Sequence, residues 1–116
     1  MAEDLNKFLP LSPAVLHILL ALAGEDRHGY GIMQEVARQS DGRCKLGPGT
    51  LYDNLKKLLE QGIVEEAPQR SSDVDPRRRY YELTRFGRRV LSTEITRLEA
   101  VVDQARSYLG PRQRKA

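Results

Sequence analysis

Gly47-Pro48-Gly49-Thr50-Leu51-Tyr52-Asp53-Asn54-Leu55-Lys56-Lys57-Leu58-Leu59-Glu60-Gln61-Gly62 is the stretch whose pattern decides the fold. Leu51, Leu55, Leu58 and Leu59 recur at helical spacing and make one apolar stripe, which Gly62 closes. At about 100° per residue, Pro48, Gly49, Thr50, Asp53, Lys56 and Lys57 point away from the stripe, with Tyr52 and Asn54 on its flanks. Such a helix is buried along one side. Its polar outer face begins with small residues, so its N-terminal end can approach another surface closely.

Two further helices precede it. Ser12 can accept from free amides at a helix start and Pro13 suits the first turn, after which apolar residues crowd Val15 to Ala23 until Gly24. A second pattern starts near Arg27-His28-Gly29-Tyr30, carries Ile32, Met33, Val36 and Ala37 at spacings of three and four, and ends at about Asp41-Gly42. Gly29 and Gly31 disfavour its first turns by roughly 0.5–1 kcal/mol each relative to alanine. A close approach by another helix would explain them, as would simple tolerance.

Downstream, Ile63-Val64-Glu65-Glu66-Ala67 is a short strand by its β-branched residues, Pro68 to Pro76 is rich in turn formers, and Arg77 to Thr84 is the returning strand of a hairpin. The loop is long for a hairpin and is expected to be mobile. Thr84 then caps a last helix, in which Leu91, Ile95, Leu98, Val102, Ala105 and Leu109 alternate at four and three to give a heptad seam. The seam could pack on its own domain, but little of a 116-residue chain remains to cover it, so a homodimer is the better expectation. The division that results is residues 1–84, 85–109 for the dimerisation helix, and a basic disordered tail at 110–116.

Three helices followed by a two-stranded hairpin is the order of a winged helix-turn-helix, an α+β and mainly α fold. In that fold the third helix enters the major groove of DNA, about 12 Å wide, and the hairpin touches flanking backbone. Thr50, Tyr52, Asn54, Lys56 and Lys57 are the donors available to bases or phosphates, and the helix-start amides at Gly49 and Thr50 suit a phosphate oxygen. The segment Arg43 to Lys57 holds four bases against Asp53, and Arg70 to Arg79 holds four arginines against Asp73 and Asp75. Strand alternation sends Arg78 and Tyr80 to one face and Arg79, Tyr81 and Leu83 to the other, so Arg78, with Arg77 from the loop, is the pair expected at DNA.

Composition sets the outer limits. The formal net charge is +3, but Arg112, Arg114 and Lys115 in the tail supply three of the 19 bases, leaving 16 against 16 acids, so only the local clusters argue for nucleic acid. The longest apolar run, Val15 to Ala23, falls short of the roughly 20 residues that span a bilayer, and the acidic start Met1-Ala2-Glu3-Asp4 is unlike a signal peptide. A cytoplasmic protein without a membrane partner is expected. One cysteine, Cys44, excludes an intramolecular disulfide and a multi-cysteine zinc site; between Arg43 and Lys45 it could be a redox switch, although no second thiol exists to resolve it. His17 inside an apolar helix reads as a hydrogen-bonded core or interface histidine, and His28 as a capping or packing residue rather than an effector ligand or phosphate contact. No triad, dyad or metal set emerges, which argues against an enzyme, and no cofactor is expected. A winged helix serving as a protein-interaction module is the competing function.

Leu11-Ser12-Pro13-Ala14-Val15-Leu16-His17-Ile18-Leu19-Leu20-Ala21-Leu22, His28-Gly29-Tyr30-Gly31-Ile32, Gly47-Pro48-Gly49-Thr50-Leu51-Tyr52, Gly62-Ile63-Val64-Glu65 and Arg79-Tyr80-Tyr81-Glu82-Leu83-Thr84-Arg85-Phe86-Gly87 together closely resemble the PadR family of bacterial transcriptional regulators. The likeness runs over roughly residues 9 to 109. It implies a cytoplasmic homodimer that represses transcription from a double-stranded palindromic operator, with a single C-terminal helix packed on the partner and Thr50 and Tyr52 aimed at DNA. Asp53 departs from the small residue or proline such proteins carry there. Family members respond to phenolic acids or hydrophobic drugs, some through an interfacial tryptophan; this chain has none, so the implied effector is only a small hydrophobic or aromatic molecule.

Overall fold

Ser12 Oγ accepts from the Val15 amide at 3.2 Å and Pro13 fills the first turn, so α1 spans Pro13–Gly24 as its sequence signals predict. The computed structural model describes residues 4–68 and 78–114, the last four as helix backbone only. After α1 come β1 (Arg27–His28), α2 (Gly29–Gln39), α3 (Pro48–Glu60), β2 (Val64–Ala67), β3 (Tyr80–Leu83) and α4 (Arg85–Arg114), with a short 3₁₀ turn at Leu5–Phe8 ahead of them all. This is the expected mainly helical α+β architecture. Among the described residues no helix is long and apolar enough to cross a membrane.

One core joins α1 to α4 with β2 and β3. Ile18, Leu19 and Leu22 of α1, Ile32 and Val36 of α2, and Leu51, Leu55 and Leu58 of α3 are buried together with Ile63, Val64, Tyr81, Leu83, Val90 and Leu91. Each large aliphatic side chain buried this way contributes about 1.5–3 kcal/mol. The stripe expected on α3 is therefore the one that faces the core, with Leu59 half-buried at its margin. His17 is tied by Gln39, whose amide donates to the His17 carbonyl at 2.7 Å and lies 3.2 Å from its Nδ1, the structural role expected of it.

The sheet corrects the sequence reading. Instead of a two-stranded hairpin there are three antiparallel strands in the order β1-β3-β2, because Arg27 and His28 pair with Tyr81 and Tyr80. These two residues were expected to start the second helix. Two residues are too short to show the alternation that identifies a strand, and β3 supplies the pairing from more than 50 positions away. Both tyrosines are buried on opposite faces: Tyr81 enters the core, while the His28 ring covers Tyr80 edge-on at 5.3 Å. The expected mobile loop, with Arg70 and Arg77, lies at residues 69–77, outside the described residues.

At the junction of sheet and last helix, Thr84 Oγ1 accepts from the Gly87 amide at 2.8 Å, the cap expected of it. Its hydroxyl donates to the Gly62 carbonyl at 2.6 Å and its amide to the Ile63 carbonyl at 3.1 Å. A Cβ on Gly87 would overlap the Ile63 carbonyl oxygen, so only glycine lets α4 lie this close to the start of β2.

α4 is the second correction. Leu91, expected to face a partner molecule, is only 7% exposed and sits in its own domain's core beside Val90. The seam becomes accessible only beyond it: Leu98 is half-buried, and Ile95, Val102, Ala105 and Leu109 are exposed. The helix backbone also passes through Gly110 and on to Arg114, beyond the boundary expected at Leu109. At about 1.5 Å per residue the 30-residue helix is about 45 Å long, more than the domain can cover.

Candidate nucleic-acid interface

The outer face of α3 is formed as its spacing predicts. Gly49, Thr50, Asp53, Lys56 and Lys57 are exposed, and Tyr52 retains 48% of its accessible surface. Asn54, expected on the flank of the stripe, is half-buried, and its amide donates one hydrogen to the Thr50 carbonyl one turn back at 2.9 Å. The second hydrogen of its NH2 group is not used by that bond. Asn54 and Lys57 lean toward the N-terminal segment, where they line a cleft of about 210 Å³ with Lys7, Phe8 and Leu11.

Tyr52 leans the other way, across α2. Its hydroxyl end rests where a side chain on Gly29 would be, since a Cβ built there would overlap Tyr52 Oη. That accounts for glycine at position 29 by a close approach from α3. Gly31 has no such neighbour, its nearest side-chain atom lying 3.5 Å from a built Cβ, so it is tolerated rather than required.

Beside Tyr52 a cleft of about 250 Å³ opens between the start of α2, α3 and the entry to β3. His28, Gly29, Tyr30, Tyr52, Arg78, Arg79 and Tyr81 line it, and none of them is a carboxylate. Arg79 is held at its edge by Glu66, Nη1 to Oε2 at 3.0 Å, across the β2–β3 ladder. Burial raises the Tyr81 hydroxyl above its ordinary value, with the Tyr52 hydroxyl and Glu66 adding to the rise and Arg79 opposing it, so Tyr81 stays a protonated donor at neutral pH. Arg78 is exposed, and its Nη1 lies 3.3 Å from His28 Nε2. Arg77, expected to act with it, is outside the described residues.

His28 caps α2, Nδ1 accepting from the Gly31 amide at 3.1 Å, one of the two structural roles its place at a helix start suggests. Its second nitrogen, turned to Arg78, is the feature sequence reasoning missed. A two-residue strand brings these positions together, and nothing in a sequence signals so short a pairing.

A buried carboxylate was missed as well. Glu94, 1% exposed, accepts from the Leu11 amide at 2.9 Å and from Arg97 Nε at 2.6 Å, so it fastens the N-terminal segment to α4. The Arg97 guanidinium, helped by the Leu11 amide, holds its carboxyl below the usual range against the opposing effect of burial. A charged residue three positions after Leu91, on the apolar side of α4, was the available signal. Cys44 is half-buried at the edge of the core, its amide donating to Ser40 Oγ at 2.9 Å. Among the described residues no group of histidine, cysteine, aspartate and glutamate is arranged to hold a metal.

Helices α1 to α3, the small sheet and the exposed face of α3 define a winged helix-turn-helix protein. Residues 15–93 match the family model described as the transcriptional regulator PadR-like family, and the chain belongs to that family. A Lysinibacillus sphaericus protein described as uncharacterized is 31% identical over 75 residues, which span 65% of this chain and 68% of that one. Among solved structures, a PadR family regulator from Clostridium difficile R20291 superposes with a TM-score of 0.62 at 26% identity, over 81% of this chain and 97% of the other. A PadR-like regulator from Bacillus cereus gives a TM-score of 0.69 at 21% identity, covering 92% and 97%. Bacillus subtilis PadR in complex with operator DNA gives 0.60 at 20% identity, over 72% of this chain and 47% of that one. The last two likenesses concern the fold.

Proposed function

We propose that this chain is a dimeric, DNA-binding transcriptional repressor that places α3 in the major groove and the wing on the flanking backbone. The observation that carries the reading is the exposed face of α3, where Thr50, Tyr52, Lys56 and Lys57 are donors and Asp53 is the acid among them, together with the carboxylate-free cleft at Arg78. Solved Bacillus subtilis PadR, which shares the fold, is bound to operator DNA. Lys56, Lys57, Arg77 and Arg78 neutralise phosphates, whereas Thr50 and Tyr52, at the end of α3 that small residues leave open, are the groups nearest to base edges. The start of α3 at Gly49 adds its amide dipole.

The distal part of α4 supports the dimer. Ile95, Val101, Val102, Tyr108 and Leu109 are exposed apolar residues on one long helix, and a second copy of that helix covers them at the least cost. Two α3 helices about one turn of DNA apart, roughly 34 Å, would read an inverted repeat. A small hydrophobic or aromatic effector would release DNA by binding one dimer geometry better than the other. The cytoplasm is where such a regulator meets its operator.

Fluorescence anisotropy with the duplex upstream of the protein's own gene, against a scrambled duplex, tests this. Selective binding at physiological salt, lost in Tyr52→Ala, is expected. Equal, weak and steeply salt-dependent binding to both duplexes would overturn the operator reading. No binding even at low salt would favour the interaction module, for which Asp53 on the exposed face of α3 would be a suitable contact.

A further inference from the structure

The N-terminal segment ahead of α1 is fastened to α4 at two points. The Phe8 ring meets Phe86 edge-on with 5.6 Å between centroids, and the Leu11 amide donates to the buried Glu94 carboxylate at 2.9 Å. Its other side does not close on α3. The cleft of about 210 Å³ left between them has a floor of Leu58, 3% exposed, and Ile63, 1% exposed, with apolar walls from Phe8, Leu11 and Val15. A wall fastened in this way keeps the cleft in shape before any ligand arrives, so binding carries little ordering cost.

Charge at the rim has one sign. Lys7 stands on the N-terminal side and Lys57 on α3, both exposed, and no aspartate or glutamate lines the cleft. Glu94, behind Leu11, is answered by Arg97 at 2.6 Å. Asn54, which keeps one amide hydrogen beyond its bond to Thr50, and Gln61 add neutral donors. The start of α1, at Ser12 and Val15, borders the same space with the positive end of its dipole. An apolar floor under a basic rim is complementary to an amphipathic anion, whose body removes water from Leu58 and Ile63 while its head meets the lysines. A neutral apolar molecule would leave the lysines unanswered, and an inorganic anion would leave the floor wet. The volume lies below the roughly 300 Å³ at which drug-sized sites begin, so the occupant is small.

We propose that this cleft binds a small organic anion with one carboxylate and an apolar body, and that the bound carboxylate draws Lys57 away from DNA. The effect on DNA rests on the regulator reading above, in which Lys57 neutralises a phosphate; the site itself does not. Release by this route needs no change of dimer geometry, because one ammonium group cannot serve the ligand and a DNA phosphate together. The two ligands therefore weaken each other by the same factor.

The probe is phenylacetate, with neutral phenylacetamide as its control. Titration of the full chain, followed by amide NMR shifts, is expected to move signals between Lys7 and Val15 and between Asn54 and Ile63. Lys7→Gln and Lys57→Gln, both at exposed positions and each checked for an unchanged melting temperature, should weaken phenylacetate about three- to tenfold, and phenylacetamide should bind wild type at least about tenfold more weakly than the acid. Anisotropy with the selected duplex at constant ionic strength then reads the coupling. Saturating phenylacetate should weaken wild-type binding about three- to tenfold and reduce the slope of log K against log salt by about 0.9, the share of one phosphate contact. In Lys57→Gln it should change neither.

Equal binding of the acid and the amide, shifts confined to α4 beyond Ile95, or no shifts at millimolar phenylacetate would overturn the site and leave the regulator reading intact. Shifts at the same amides on concentrating the protein without ligand would assign the cleft to a second copy of the chain, which also overturns it. Phenylacetate that binds in the cleft without weakening DNA, or that weakens it equally in Lys57→Gln, would overturn the competition for Lys57. Wild-type protein that binds phenylacetate in the cleft but no duplex would uphold the site and overturn the regulator reading.

Discussion

The two halves of α4 carry one apolar pattern and meet opposite fates. From Arg85 to Glu94 the helix belongs to the domain: Val90 and Leu91 are buried, Gly87 rides against Ile63 and Glu94 ties down Leu11. From Ile95 onward the same spacing of four and three continues, yet Val102 is 47% and Leu109 59% exposed. A periodic stripe says that a helix has an apolar side; it does not say which molecule supplies the other side. That depends on how far the helix outruns its own domain, which is a matter of length.

If the distal half is covered by a second copy, charge placed there should be the most damaging change available on α4. Ile95→Asp combined with Val102→Asp would put two carboxylates into an apolar contact, and dimer affinity should fall by more than about a thousandfold. Analytical ultracentrifugation should then show a folded monomer with the wild-type circular dichroism spectrum. A dimer surviving that double change would place the interface elsewhere. Leu91→Ala should act on the proximal half and behave in the contrary way. A loss of about 2–4 kcal/mol is expected from cavity formation, with a melting temperature that drops by the same amount in the monomeric Asp variant as in the dimer.

Glu94 stands at the boundary between the halves and gives the next effect in size. Glu94→Gln keeps an acceptor for the Leu11 amide but removes the charge that Arg97 clasps, at a cost of about 1–3 kcal/mol. The pH dependence has a definite sign. Because the folded-state value of Glu94 is lowered, its contribution is present above the unfolded carboxyl value of about 4.3 and is lost as pH falls through the folded value. Urea unfolding at pH 7 and at pH 3 should therefore separate wild type from Glu94→Gln at the first pH and bring them together at the second. A gap that is the same at both would mean the carboxylate is not what holds the N-terminal segment.

Much of this arrangement could be read in the sequence, and the parts that could not share a physical cause. The cap at Ser12, the stripe of α3 and the cap at Thr84 follow from contacts within one or two helical turns, and the structure has each in place. The exposed outer face of α3 followed from the same periodicity. What escaped depended on partners distant in sequence: β1 exists only because Tyr80 and Tyr81 pair with it, Glu94 is held by the Leu11 amide, and Leu91 is in the core that residues of α1, α2 and α3 share. The interface divides the same way. Lys56 and Lys57 are where helical phase puts them, while His28 joins Arg78 through a strand pairing that no local pattern announces.

The sheet under the proximal half of α4 holds a weaker, opposite signal. Glu65 and Glu82 face each other across the β2–β3 ladder. Their shared hydrogen bond, with burial, the Glu65 charge and Asp26, raises the Glu82 carboxyl above its ordinary value, and Arg88 of α4 pulls it back down. An acid whose folded-state value is raised stabilises the fold below its unfolded value and loses that contribution as pH rises through the folded one. Glu82→Gln should accordingly gain about 0.5 kcal/mol at pH 7, the cost of like charges opposite one another on a ladder, and nothing at pH 3.5. Because Arg88 reaches Glu82 only when the first turns of α4 are docked, Arg88→Ala should enlarge the gain in the Glu82 series and leave the Asp-induced monomer otherwise unchanged. A gain indifferent to Arg88 would mean that the proximal helix does not bear on the sheet electrostatically, and that Gly87 and the apolar contacts alone join them.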